Sequence, residues 1–265
     1  MSDVPSNKDE KEQEEQLAEG TLLSHLMELR TRLVKISIAV IGVFVLLLPF
    51  SQKIFVVASK PLVDVLPGQK MIATAVTSPL LTPFKLTFFV ALFVAMPIIL
   101  YQVWAFVAPG LYRKEKRFAF PLLGSSIVLF YAGIAFAYFV VFELVFGFFA
   151  SVTPQSVEMM TDIAAYLDFI TKIFLAFGLA FEVPVATVLI VWTGLTTPEK
   201  LGKARPYVFL SAFVIGMFLT PPDVISQTLL AVPVYLLYEL GIIMSRIFSR
   251  DRRRDAAEAA TEDAN

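Results

Sequence analysis

Apolar runs long enough to cross a bilayer alternate along this chain with short charged segments, and the sharpest junction is YQVWAFVAPGLYRKEKR at 101–117. Before it, Phe84 to Val107 is almost free of charge, and after it Phe118 to Phe149 is another such run. A bilayer core takes roughly 20 apolar residues of helix, so both runs suffice. Tyr101, Trp104, Phe106 and Tyr112 gather at the junction, where amphipathic rings prefer the headgroup level. Arg113, Lys114, Lys116 and Arg117 follow at once around a single acid, Glu115.

Extended over the whole chain, the pattern predicts an all-α, polytopic integral membrane protein with six transmembrane helices near 34–50, 84–107, 118–145, 166–192, 207–219 and 224–245. Residues 1–20 are acidic and too polar to bury a core, and read as a solvated tail. In 21–33, Leu22, Leu26, Leu29 and Leu33 recur at helical spacing, with His25, Glu28 and Arg32 on one flank and Arg30 on the other. That suits an interfacial amphipathic helix ahead of the first span. The stretch 51–83 is punctuated by Pro61, Pro67, Pro79 and Pro83, and a stripe of Ile54, Val57, Pro61, Leu62 and Val65 predicts a short helix over the outer face. Pro97 should kink the second span. Near the C-terminus, TPPD at 220–223 joins two apolar runs, 207–219 and 224–238, of which the first holds about 14 residues between Pro206 and Pro221. At about 1.5 Å per residue these runs fall short of a ~30 Å core and should thin the bilayer locally. Residues 247–265 form a polar tail.

Composition agrees: 57% of residues are hydrophobic and the mean hydropathy is +0.73. The net charge of −1 hides a strong asymmetry, because no Lys or Arg occurs from Phe118 to Thr171 while 113–117, 200–205 and 246–254 are basic. Six spans place those three segments and both termini on one side, which the positive-inside rule makes the cytoplasm. Met1 to Glu19 is acidic rather than basic and then apolar, so no cleavable leader is expected. With no cysteine and one histidine, thiol chemistry and cysteine metal sites are excluded and histidine ligation is disfavoured. Phosphate-binding glycine loops, H-E-x-x-H and G-x-S-x-G are all absent, so neither a cofactor nor an enzymatic activity is expected.

Four ionisable residues stand out. Glu182, between Phe181 and Val183 in mid-span, is a functional candidate because charge is expensive there, although a packing role against a neighbouring helix or a backbone group freed by Pro184 fits too. Lys172 lies near the outer end of the same span and can snorkel. Glu115 has a second reading as a solvated partner of the bases around it, and Glu28 as an i, i+4 partner of Arg32.

Five stretches, HLMELRTRL at 25–33, MIATAVTSPLLTPFKL at 71–86, YQVWAFVAPGLYRKEKR at 101–117, FGLAFEVPV at 177–185 and RPYVFLSAFVIGMFLTPPDVISQTLL at 205–230, closely resemble TatC, the multi-spanning core subunit of the twin-arginine protein translocase. The resemblance covers residues 20–248 and looks proteobacterial. It implies a concave helical protein of the bacterial inner membrane, both termini cytoplasmic, that binds twin-arginine signal peptides. TatA and TatB would be its partners in a homo-oligomeric receptor complex that exports folded proteins using the proton-motive force. Carried over by position, it implies signal-peptide binding at Phe106, Glu115, Glu28 and Arg30, and a membrane-embedded glutamate at Glu182. It further implies partner-helix contact at Met217, Thr220 and Gln227, and outer-face roles for Pro61 and Asp223. The two carboxylates could each hold one guanidinium, with Glu115 facing the first helix and the neighbouring bases facing water or lipid. Two other classes compete: a secondary transporter using Glu182 and Lys172 as an ion relay, and an intramembrane protease. The first lacks a paired broken helix and the second a base at depth.

Overall fold

Long runs of Leu, Val, Ile and Phe give long helices here; prolines sit at several of the breaks, while Pro61, Pro83, Pro121 and Pro233 lie inside helices. A computed structural model describes residues 7–65, 71–107, 116–154, 160–219 and 223–262. Helix α1, Asn7–Leu47, is unbroken, so the leucine stripe at 22–33 and the first apolar run share one axis rather than meeting at a turn. A 3-10 turn, Leu48–Phe50, with Pro49 inside it, leads into α2, Ser51–Val65, which carries the stripe expected of a short outer helix. The apolar stretch Leu26–Val63 is 38 residues long, about 57 Å at 1.5 Å per residue, and so outruns a ~30 Å core. Only 6% of its most apolar window is buried, which leaves the surface to lipid.

The second apolar run divides into α3, Ser78–Val94, and α4, Met96–Val107, bent by 49° at Ala95. Pro97 has no N–H to offer the Phe93 carbonyl. The Tyr131 hydroxyl donates to that carbonyl instead, at 3.0 Å, so the kink leaves no orphaned acceptor there. Helix α5, Lys116–Phe136, passes through a π-helical turn, Ala137–Val141, into α6, Phe142–Val152. Helices α7, Ile163–Ala180, and α8, Val183–Trp192, form one 30-residue apolar stretch interrupted at Phe181 and Glu182. Pro184 at the second position of α8 accounts for the interruption, and Glu182 N–H donates three residues back, to Leu179 O at 3.1 Å. The short α9, Pro198–Lys203, precedes α10, Arg205–Leu219, and α11, Val224–Glu262.

Among the described residues four helical stretches are long and apolar enough to cross a membrane, the bent α3–α4 pair makes a fifth, and α10 adds a shorter apolar helix of 15 residues. That set is compatible with six spans. The last two are unequal, however: the apolar part of α11 is Val224–Phe248, 25 residues, so only α10 is short.

The core lies where α5 and α6 pack on α7. Phe130, Phe142, Ile170, Ile173 and Phe177 are fully buried, and Phe142 meets Phe174 edge-on with ring centroids 5.0 Å apart. Two glycines permit the close approach of α5 and α7. A Cβ on Gly133 would sit 2.5 Å from the Phe177 carbonyl oxygen, and one on Gly178 would sit 2.6 Å from the Phe130 ring. At the end opposite α9, Ile72 N–H donates to Thr161 O at 3.0 Å and Ile163 N–H to Ile72 O at 2.9 Å. Asp162 completes this clasp: Oδ1 caps α7 by accepting from Ala164 and Ala165 N–H, while Oδ2 accepts from the Thr74 hydroxyl and N–H. The Thr74 hydroxyl first, then the amides of Ala165, Thr74 and Ala164, hold its carboxyl down at about 2.

Candidate functional site

Glu28 and Arg32 lie one helical turn apart on α1, so their side chains meet on the same face. The Arg32 guanidinium donates twice to Glu28 Oε1, from Nε at 3.0 Å and from Nη2. It also reaches α4: Nη1 donates to Gln102 Oε1 at 3.4 Å and Nη2 to the Ala105 carbonyl at 3.0 Å. Carbonyls in the last turn of a helix lack intrahelical partners and favour a cation, so Arg32 acts as a C-terminal cap on α4. The consequence is geometric. Glu28 is held beside the chain end that carries Phe106, with its Oε2 free of any bond within the described chain. Glu28 is about one-third exposed (36%) and Arg32 is more covered, so the acid faces outward from the bridge. Arg30 is exposed on the other flank and Phe106 is half-buried. Glu115 lies outside the described residues.

Glu182 sits at the α7–α8 break, where it accepts a hydrogen bond on Oε2 from the Ser126 hydroxyl of α5. Its other oxygen, Oε1, is buried without a hydrogen-bond partner among the described residues. This site is separate from Lys172, ten residues earlier and thus about 15 Å along the helix. Lys172 opens onto a different cleft, against Lys85 and Asp168 of α3 and α7, so the two do not assemble into an ion relay.

At the far end of α10 and α11, Met217 is half exposed. Gln227 Nε2 donates to the Phe213 carbonyl at 2.6 Å, tying α11 to α10. Asp223 Oδ1 caps α11 by accepting from Ser226 N–H at 2.7 Å, while Asp223 Oδ2 and Ser226 Oγ are buried without partners among the described residues. Thr220 lies outside the described residues. Pro61 lies inside α2 and is half-buried. An apolar cleft of about 280 Å³ lies between α7, α8, α10 and α11, lined by Leu179, Val183, Ile215, Gly216, Leu219 and Leu230 among others.

Sequence reasoning missed three groups. Gln102 and Ser126 are buried polar partners of Arg32 and Glu182, and their only sequence signal is a polar residue within an apolar run. The third is a fork at the start of α10, where Arg205 Nε and Nη2 bond the two Glu239 oxygens at 2.6 and 2.7 Å and the Tyr235 hydroxyl donates to Glu239 Oε1 at 2.9 Å. It fixes the short helix against α11 at the end bearing Lys200 and Lys203.

A family model described as Sec-independent protein translocase protein (TatC) matches residues 24–233. A protein named Sec-independent protein translocase protein TatC from Azotobacter chroococcum is 56% identical over 240 residues, covering 90% of this chain and 93% of its own. The protein of that name from Escherichia coli K12 is 56% identical over 236 residues, covering 88% and 92%. The one from Aquifex aeolicus is 36% identical over 234 residues, covering 88% and 97%. A crystal structure described as twin arginine translocase receptor TatC superposes with a TM-score of 0.77 at 37% identity, over 84% of this chain and 98% of that one. A second, in the detergent DDM, gives 0.78 at the same identity, over 83% and 99%. The all-helical fold, the apolar spans and these matches over nearly the same residues agree, and the chain belongs to the TatC family.

Proposed function

We propose that this chain is the receptor and core component of a twin-arginine translocase, a transport protein rather than an enzyme. It lies in the bacterial inner membrane with six spans and both termini in the cytoplasm. The observation that carries this reading is the Arg32 bridge, which presents Glu28 beside Phe106 at the basic end of the bundle. A guanidinium is held best by carboxylate oxygens, and Glu28 offers one that no described residue bonds. Glu115, eight residues beyond the α4 end at Val107, would supply the second acid, one for each arginine of a paired motif. Phe106 would supply apolar contact beside them, and Arg30, exposed on the other flank of α1, would help bind the signal peptide.

Partner subunits TatA and TatB would dock their single spans on α10 and the start of α11. There Met217 is exposed, and Thr220 and Gln227 offer polar contacts in a bilayer that the short α10 thins. Glu182 would anchor a partner helix or the polar flank of a signal peptide through its unused buried oxygen. Pro61 and Asp223 shape the outer rim, Asp223 by capping α11. Folded cargo would then cross under the proton-motive force within a complex holding several copies of this chain.

Photocrosslinking from positions 106 and 115 tests the reading. A twin-arginine signal peptide should be captured at both, and a twin-lysine peptide at neither. Equal capture of the two peptides would refute it.

A further inference from the structure

The cleft between α3 and α7 is lined by Lys85, Phe89, Asp168, Thr171, Lys172 and Leu175, and has a volume of about 140 Å³. It lies away from Glu28, from Glu182 and from the α10–α11 tip, and none of its charges is needed by the peptide-recognition reading. Lys85 Nζ is ion-paired with Asp168 Oδ1, and both side chains are about half exposed on the flank of the bundle. Asp168 and Lys172 are spaced i, i+4, a separation at which an acid followed by a base ordinarily pairs. Here the acid is taken by Lys85, and Lys172 has no ion-pair or hydrogen-bond partner among the described residues. Two cations and one anion leave the cleft with a net positive charge.

Depth decides what could neutralise it. Lys85, Asp168 and Lys172 lie seven, five and nine residues inside the starts of α3 and α7, about 10, 8 and 14 Å at 1.5 Å per residue. Both helices start at the end of the Ile72–Asp162 clasp, so all three charges sit in the same leaflet. An unpaired ammonium at that depth is costly in hydrocarbon, and its four-carbon stem lets it reach toward the headgroup level. Below the charges, Phe89 and Leu175 give the cleft an apolar floor.

We propose that this cleft is a binding site for an anionic phospholipid, with the phosphodiester on Lys172 and Lys85 and an acyl chain along Phe89 and Leu175. The ligand chemistry is a phosphate anion with an apolar tail. Charge complementarity, a floor matched to hydrocarbon and a shared depth in one leaflet together favour a lipid over a free anion. Occupation would hold α3 against α7 at the outer end, next to the clasp that Asp162 makes with Thr74.

Native mass spectrometry of the full chain in neutral detergent tests this, titrated separately with dioleoylphosphatidylglycerol and dioleoylphosphatidylcholine, and with inorganic phosphate as a competitor. The tightest phosphatidylglycerol adduct should be retained over phosphatidylcholine and should survive excess phosphate. Lys172→Gln should weaken it about fivefold, the effect of one basic residue near a phosphate surface, and Lys172→Arg should restore it. Lys172 has no ion pair to lose among the described residues, so its variants keep the fold even if Lys85→Gln does not. The proposal is overturned if phosphatidylglycerol binds Lys172→Gln as it binds wild type, or if both lipids bind alike. Displacement by inorganic phosphate alone would show a free-anion site, and capture of a protein rather than a lipid by a photocrosslinker at position 89 would show a protein interface; either result also overturns it.

Discussion

Replacing Arg32 with Leu removes a side chain that ties α1 to the end of α4. The guanidinium bonds Ala105 O at 3.0 Å and Gln102 Oε1 at a long 3.4 Å, besides Glu28. Bonds involving a charged group contribute about 1.5–3 kcal/mol each when well buried. The Arg32 side chain is 20% exposed and one bond is long, so the lower end applies to the Ala105 bond and less to Gln102. The Glu28 pair, with its acid 36% exposed, adds only about 0.3–0.5 kcal/mol. Arg32→Leu also strands the buried Gln102 amide oxygen, at about 1 kcal/mol. The sum is about 3 kcal/mol. Gln102→Leu alone should cost about 0.5–1 kcal/mol, and because the double variant has no Gln102 amide to strand, it should be less destabilised than the sum of the singles by about 1 kcal/mol. Reversible unfolding in mixed micelles measures all four proteins. Strict additivity within about 0.3 kcal/mol would refute the bridge.

Inserting one helical turn into α10 lengthens an apolar helix of 15 residues from about 22 Å to about 28 Å, close to the bilayer core. Transport should fall while insertion is kept, and full export activity would count against the thinned-membrane reading. Asp162 sets a pH dependence of known sign. Its folded pKa is lowered to about 2, so the clasp contributes stability above the unfolded value near ~4 and loses it as pH falls toward about 2. Protection of the Ile72 and Ile163 amides, taken relative to the intrinsic exchange rate at each pH, should therefore fall over that interval in wild type and be low at every pH in Asp162→Ala; a flat wild-type protection profile would contradict the assignment.

Periodicity and proline placement make much of the fold legible in the sequence. The apolar runs, the helix at 51–65, the kink near Pro97 and the shortness of α10 all follow from local rules that act within a few residues. The Glu28–Arg32 pair was legible for the same reason, being an i, i+4 spacing. Contacts between helices were not. Arg32 reaches Gln102 across 70 residues and Ser126 reaches Glu182 across 56, and one chain's sequence carries no periodic signal for either. The continuity of α1 was hidden because a polar stripe followed by an apolar run reads as two environments, whereas a helix passes between them without a turn. The apolar run 224–238 stops short of Glu239, whereas Arg205 pairs with that acid, the Tyr235 hydroxyl donates to it, and the apolar stretch continues to Phe248.

The central claim is that acidic side chains at the basic end of the bundle receive paired arginines. Its most direct measurement is the affinity of the purified, membrane-inserted chain for a twin-arginine signal peptide, in wild type, Glu28→Gln and Glu115→Lys. Glu28→Gln should weaken binding at least about tenfold, the loss of one charge-assisted contact. Glu115→Lys should abolish binding while leaving insertion intact. Wild-type affinity in both variants would contradict the account.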